Sequence, residues 1–380
     1  MPHLETAHAG EDFLKSLGLP TLSVHDTFAH FDFRTPGRRV LLIGPMGSGK
    51  TEWSARVWRD AEIAKRKGET VRHLTSTGPV DRRNILFIRS ELDRDRFAGY
   101  PEDAFAYRSG YIRCGENIAW IRDSFGLEEV IRDNPTVGTY IIDEASFFDE
   151  RLAYVVRNAS LEKGIMFIFP TLVLNFRREF FNNTARLILD IATDVIPLTA
   201  YCENSECIDP AFYTYRYYSV DGKECPALFF DPLIVVGGDR IKGGSVEANY
   251  DARCDHHHLL PGKEYTFFTL KPLGEAAARG EVDGLVCELE KLHGNIGKSE
   301  LYSNLMKRYG DDPEGEVYLN SLRPGLVAEK ALMYLYAEQN IISEQLLQKL
   351  VFDLELNIQY LEKTLSDNRR PVSFEQPYLL

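Results

Sequence analysis

Positive charge, long apolar runs and cysteine are all scarce in this 380-residue chain. Lysine and arginine number 44 against 57 aspartates and glutamates, a formal net charge of −13. A surface of that sign repels phosphate backbones, which argues against general DNA or RNA binding. Small anions stay open, because a local loop can hold them against the overall charge. The longest apolar stretch, GIMFIFPTLVL at 164–174, is too short and too proline-interrupted to span a bilayer. The opening MPHLETAHAGEDFLKSLG has neither a basic start nor an apolar core, so no signal peptide is read there and the expected compartment is the cytoplasm. Six cysteines sit unevenly at 114, 202, 207, 225, 254 and 287. Without an export signal, paired cysteines read as metal ligands before disulfides. Repeats and low-complexity tracts are absent.

The chain does have an alternation of short apolar runs and helical segments. Runs at 40–43, 85–88, 140–142, 165–169 and 195–198 read as buried strands, and the helix after the first places Trp53, Val57, Ala61 and Ala64 on one face, stopping near Gly68. Such βα units predict an α/β fold, a P-loop NTPase parallel sheet with helices on both faces and ligands at the carboxyl ends of its strands. Four regions follow: a lead-in at 1–35 with one possible helix at 12–17, the P-loop domain at 36–198, a small zinc-bound domain at 199–265, and a helical extension at 266–380. In the small domain, AFYTYRYYS followed by Asp221-Gly222 reads as an antiparallel hairpin rather than a base-stacking surface. In the extension, Leu347, Leu350, Val351, Leu354, Ile358 and Leu361 form a helical stripe best read as intramolecular packing.

Two motifs carry chemistry. Gly44-Pro45-Met46-Gly47-Ser48-Gly49-Lys50-Thr51 lies between a strand and an amphipathic helix. Its glycines let backbone N–H groups converge on phosphate oxygens, Lys50 neutralises the β- and γ-phosphates, and Thr51 offers a hydroxyl to Mg2+. The second, TYIIDEASFF, ends an apolar strand in Asp143 and Glu144. One carboxylate there suits the Mg2+ shell and the other an acceptor whose proton must leave. Cys202-x4-Cys207 and Cys254-x2-His257 supply three thiolates and an imidazole, a donor set for structural Zn2+, with His256 and His258 competing for the fourth place.

The order of these pieces resembles the type II thymidine kinases. GPMGSGKT, DEASFF, LVLNFRREFF (172–181), LTAYCENSEC and YDARCDHH (250–257) are similar to five family motifs; ELDRDRF and YRSG are weaker echoes. The resemblance covers roughly residues 36–262. It implies that Glu144 is the general base for the nucleoside 5′-hydroxyl, with Lys50 beside the transferring phosphate and Asp143 with Thr51 at Mg2+. The donor, ATP, lies on residues 44–51, and Ser146, standing where the family has glutamine, is counted with that site. Met46, Phe147, Leu172 and Phe176 would wall the thymine pocket, Phe176 against the base. Tyr250 matches the tyrosine of a lasso covering the nucleoside, anchored by Zn2+ on Cys202, Cys207, Cys254 and His257. A homotetramer acting on a small nucleoside is implied, without nucleic acid or membrane. Gly47, Ser146 and Val173-Leu174 depart from the family pattern, and Gly-Gly pairs at 237–238 and 243–244 suggest an expanded lasso. These departures and the extension fit a second reading, a nucleotide sensor or assembly protein on the same fold.

Overall fold

The computed structural model describes residues 30–67, 76–77, 80–91, 101, 103–107, 110–235, 248–311 and 315–374. The helix at 12–17, Gly68, Asp93 and Asp95 of ELDRDRF, residues 108–109 of YRSG and both Gly-Gly pairs lie outside them.

The centre is a mixed α/β layer structure. Strands β1 (Arg39–Ile43), β2 (Ser76–Thr77), β3 (Val80–Ser90), β6 (Ile118–Ile121), β7 (Val137–Ile142), β8 (Met166–Pro170) and β9 (Asp194–Pro197) form one sheet. Six are parallel in the order β6-β3-β7-β8-β1-β9, and β2 pairs antiparallel with the start of β3. β4 (Ala104–Tyr107) and β5 (Gly110–Arg113) make a separate hairpin. Alternation along each strand splits the apolar runs between two cores. Leu41, Ile88, Tyr140, Ile142, Phe167 and Phe169 meet helices α2 (Ser124–Asp133), α3 (Arg151–Lys163) and α4 (Asn183–Ile191) on one face. Val40, Leu42, Ile85, Phe87, Ile141 and Ile168 meet Val57, Trp58 and Ala61 of α1 (Lys50–Lys65) on the other.

β3 is longer than its apolar run because its charged start is paired. Arg82 donates to the carbonyls of Phe33 and Arg34, and Arg83 pairs with Asp81 at 2.9 Å. These bonds satisfy buried cations that otherwise read as loop.

The small region adds β10 (Ala200–Tyr201), β11 (Pro210–Ala211), β12 (Tyr213–Val220), β13 (Lys223–Pro226) and β14 (Asn249–Arg253). The last three form an antiparallel sheet with β12 central, and Asp221 and Gly222 turn the hairpin with φ of 51° and 72°. A C-terminal group of helices follows. α5 (Lys263–Tyr265), a π turn (Thr266–Leu270) and α6 (Lys271–Ala278) run on from one another. α7 (Asp283–Gly294), α8 (Glu300–Tyr309), α9 (Gly315–Asn320), α10 (Val327–Met333), a second π turn (Tyr334–Glu338), α11 (Glu344–Asp353) and α12 (Ile358–Asp367) complete the group. They share one apolar core, which also takes in Leu228, Phe229 and Phe230. The stripe 347–361 lies in that core on two helices, α11 and α12, because Glu355 turns the chain at φ 51° and Asn357 caps the second. No helix among the described residues is long and apolar enough to cross a membrane.

β9 is fastened to the chain before β1 by Asp194, whose carboxylate meets Arg38 at 3.0 and 3.3 Å and accepts from Thr193 Oγ1 at 2.6 Å. Burial pushes this carboxyl up, but the bonds from Arg38 and Thr193 outweigh it and hold the pKa below its usual value. The resulting stabilisation is present above the unfolded pKa near ~3.9 and is lost as pH falls through the depressed folded value. Partly exposed, the pair is worth about 1 kcal/mol. Asp194→Asn should lower the thermal midpoint by roughly 2–4 °C at pH 7, with the gap to wild type closing as pH falls below the ordinary carboxylate range. A gap independent of pH in scanning calorimetry would contradict the ion-pair account.

Candidate active site

All the residues singled out for chemistry on the main sheet lie at the carboxyl ends of its strands. A cavity of about 890 Å³ opens at the opposite, amino ends, beside Gly37, Pro135, Gly164 and Thr193, away from every one of them.

The loop at 44–51 leaves β1 and enters α1. Gly49 precedes the helix at φ 83° and Gly47 sits at φ 80°, a left-handed region that side chains disfavour. A Cβ on Gly44 would fall 2.4 Å from the Leu198 carbonyl oxygen and 2.5 Å from Ser48 Oγ. Ser48 N–H donates to the Pro45 carbonyl at 3.3 Å. Lys50 is buried, its ammonium donating to the carbonyls of Gly44 and Pro45 at 2.9 and 2.8 Å. A cation, a bare-backbone turn and a helix start thus coincide, the features that a phosphate chain requires. Thr51 is half-buried in the first turn of α1. Met46 N–H donates 3.0 Å to Thr214 Oγ1 of β12, tying this loop to the small sheet.

β7 ends in the acidic pair. Asp143 N–H donates to Ile88 at 2.9 Å and Glu144 N–H to Pro170 at 3.0 Å, so the tip is fixed to the strands on both sides. Asp143 is buried, 4.0 Å from the Arg89 guanidinium. Glu144 is half-buried with φ 46° and ψ 47°, a conformation costing about 1 kcal/mol for a non-glycine residue and concentrated at functional sites. Ser146 is fully buried, and its hydroxyl accepts from Thr171 Oγ1 at 3.0 Å while Thr171 also receives the Ser146 N–H. These bonds join the β7 and β8 ends, and Asn182 Nδ2 donates to the Ser146 carbonyl at 2.7 Å.

Met46, Phe147 and Leu172 come together in one apolar cluster with Phe181, Ala185 and Ile234. Phe147 and Phe181 meet edge to face at 5.5 Å. Phe176 and Tyr250 gather separately, with Tyr218 and Ala248. The Phe176 ring is buried beneath the Arg216 guanidinium at 3.9 Å, with Arg177 at 5.1 Å, and so packs on cations of its own chain. Tyr250 donates its hydroxyl to the Val235 carbonyl at 2.9 Å.

Sulfur and imidazole ligands of Cys202, Cys207, Cys254 and His257 lie within 4.8 Å of one another. Cys254 Sγ is 3.2 Å and Cys202 Sγ 3.6 Å from His257 Nδ1, and the Cys207–Cys254 sulfurs are 3.9 Å apart. A tetrahedral Zn2+ with bonds near 2.0–2.3 Å spaces its ligands by roughly 3.3–3.8 Å, so the cluster fits one. Burial pushes the Cys254 thiol up, but hydrogen bonds from the His257 amide and ring and from the His256 amide bring it down to about 7, toward the thiolate that a metal needs. The geometry also selects among the histidines. His256 is exposed, and buried His258 turns Nε2 to the Thr214 carbonyl at 3.2 Å.

A family profile for thymidine kinase matches residues 118–258. A thymidine kinase of Coprothermobacter proteolyticus is 33% identical over 60% of this chain and 93% of its own length. Thymidine kinases of Ureaplasma parvum and Ureaplasma urealyticum are each 30% identical, over 59% and 62% of this chain and 84% and 89% of their own. The chain belongs to the thymidine kinase family. It is therefore an enzyme of the kinase class.

In this thymidine kinase family member, sequence reading gave no role to Phe181, Thr214, Arg216 or Ile234. Phe181 closes the quoted segment LVLNFRREFF and could have been found there. Thr214 and Arg216 sit inside an aromatic strand whose rings dominated its reading, and Ile234 carries no signal beyond being apolar.

Zinc content offers a direct check. Purified protein should carry one zinc per chain, falling to near zero in Cys254→Ser and unchanged in His256→Ala, as read by plasma mass spectrometry. Loss of metal from His256→Ala would remove His257 from the ligand set.

Proposed function

We propose that the protein transfers the γ-phosphate of ATP to the 5′-hydroxyl of thymidine. The observation that carries this reading is the meeting of Met46 and Phe147 against Leu172. One comes from the phosphate loop and the other lies three residues past Glu144, which supports reading the loop, the end of β7 and the apolar cluster as one site. The names of the three relatives support the same acceptor.

In this mechanism Lys50 and the loop N–H groups hold the triphosphate and offset charge as the γ-phosphoryl group moves. Thr51 and Asp143 would hold Mg2+, which would supply charge neutralisation to the phosphate chain. Glu144 takes the proton of the 5′-hydroxyl as that oxygen bonds to the γ-phosphorus and the bond to ADP breaks. Met46, Phe147 and Leu172 exclude water from the base and orient the sugar. Zn2+ on the Cys-His cluster is structural, holding the two ends of the small region. A soluble cytoplasmic homo-oligomer, a tetramer by family resemblance, completes the proposal.

Glu144→Gln should lower kcat for thymidine by about 10²–10⁴-fold while ATP affinity stays within about twofold. A glutamine variant as fast as wild type would remove Glu144 from the role of base. Wild-type protein that binds ATP yet phosphorylates no nucleoside in a radiolabelled panel would sink the kinase reading.

A further inference from the structure

The family profile stops at residue 258, short of the C-terminal helices. Three side chains from those helices nevertheless reach back to one short strap, residues 231–235. Lys330 Nζ lies 2.8 Å from Asp231 Oδ1, both buried, and Tyr218 donates its hydroxyl to Asp231 Oδ2 at 2.8 Å. Glu338 accepts the Leu233 N–H at 2.9 Å and accepts from both terminal nitrogens of the Arg177 guanidinium, while Arg177 Nη2 donates to the Asp231 carbonyl. Asn368 brackets Ile234, its Oδ1 accepting the N–H and its Nδ2 donating to the carbonyl, each at 2.9 Å.

The kinase side holds the same strap. Arg216 donates to the carbonyls of Pro232 and Leu233, and Tyr250 to that of Val235. The strap is thus paired with side chains much as a strand is paired with its neighbour. Ile234, bracketed by Asn368, packs its side chain into the cluster of Met46, Phe147, Leu172 and Phe181.

We propose that the C-terminal helices set the nucleoside specificity of the enzyme. Glu338 and Asn368 are positioning residues that fix Ile234 against the pocket wall, and with it the room left for the base. This rests on reading that cluster as the acceptor pocket. A methylene misfit against a rigid apolar wall discriminates about 10–200-fold, but only if the wall cannot yield. Buried, charge-assisted bonds from two sides supply that rigidity.

The test compares full-length wild type with Asn368→Ala, Ile234→Ala and Asn368→Asp, which keeps the acceptor but not the donor. Asn368→Ala should raise the thymidine KM roughly tenfold, the size of one or two lost hydrogen bonds. Its ATP KM should stay within about twofold, and its preference for thymidine over deoxycytidine and purine deoxynucleosides should shrink by a similar factor. Ile234→Ala should show the same split, and Asn368→Asp an intermediate one. Hydrogen exchange at the Leu233 and Ile234 amides should accelerate in Asn368→Ala while α11 and α12 stay protected, a readout independent of turnover. Unchanged nucleoside KM and preference in both alanine variants overturns the inference. So does a joint rise of the ATP and thymidine KM values, which marks general loosening. Wild-type protein that phosphorylates no nucleoside overturns the acceptor reading and this inference together. Active wild type with indistinguishable variants overturns only the latter.

Discussion

The site depends on how β7 ends. Two backbone bonds, Asp143 N–H to Ile88 and Glu144 N–H to Pro170, carry the pairing two residues past the strand and fasten its tip on both sides. The chain then turns through a left-handed residue into the short helical turn Ala145–Phe147. That reversal turns the chain back at the strand end, so that Phe147, three residues past Glu144, packs with Phe181 beside Leu172 and Met46. A β7 that ran on would carry Phe147 away from the cluster of Leu172, Phe181 and Met46. The strain is affordable because the flanking strands are fully buried and parallel, and hence over-determined in register.

Much of this was legible in the sequence, for physical reasons. Parallel strands buried on both faces are near-continuous apolar runs, and a phosphate loop needs glycine where φ is positive, so β1, β7, β8 and the loop are visible in the letters alone. β3 is the opposite case. Asp81, Arg82 and Arg83 look like solvent-facing residues, and only their partners at Phe33, Arg34 and Ala64 show why they are buried. The stripe at 347–361 kept helical spacing across a break that one residue at positive φ creates. Three consecutive histidines offered no spacing argument between them, and the choice of His257 followed from where the His258 ring already found a partner. The Arg216 guanidinium over the Phe176 ring likewise had no signal in the letters, since the two residues lie 40 positions apart in sequence.

An acidic protein proposed to hold a triphosphate must concentrate its cations. Lys50 is held by two carbonyls at the loop, Arg89 lies beside Asp143, and Arg177 and Arg216 are spent on the strap. Most of these groups are buried, where neighbouring dipoles act at low effective dielectric and the global charge counts for little. The net charge of −13 therefore describes the solvent surface and says little about the interior of the site.

β12 supplies a spacing. Thr214, Arg216 and Tyr218 alternate onto one side of it, and they touch in turn the phosphate loop, the carbonyls of Pro232 and Leu233, and Asp231. An extended strand advances about 3.4 Å per residue and barely stretches, so the first and last of these contacts are set about 14 Å apart along it. The strand works as a ruler. The loop at 44–51 and the strap cannot drift independently, and any movement of one has to carry both ends of that ruler together or break a contact at one of them.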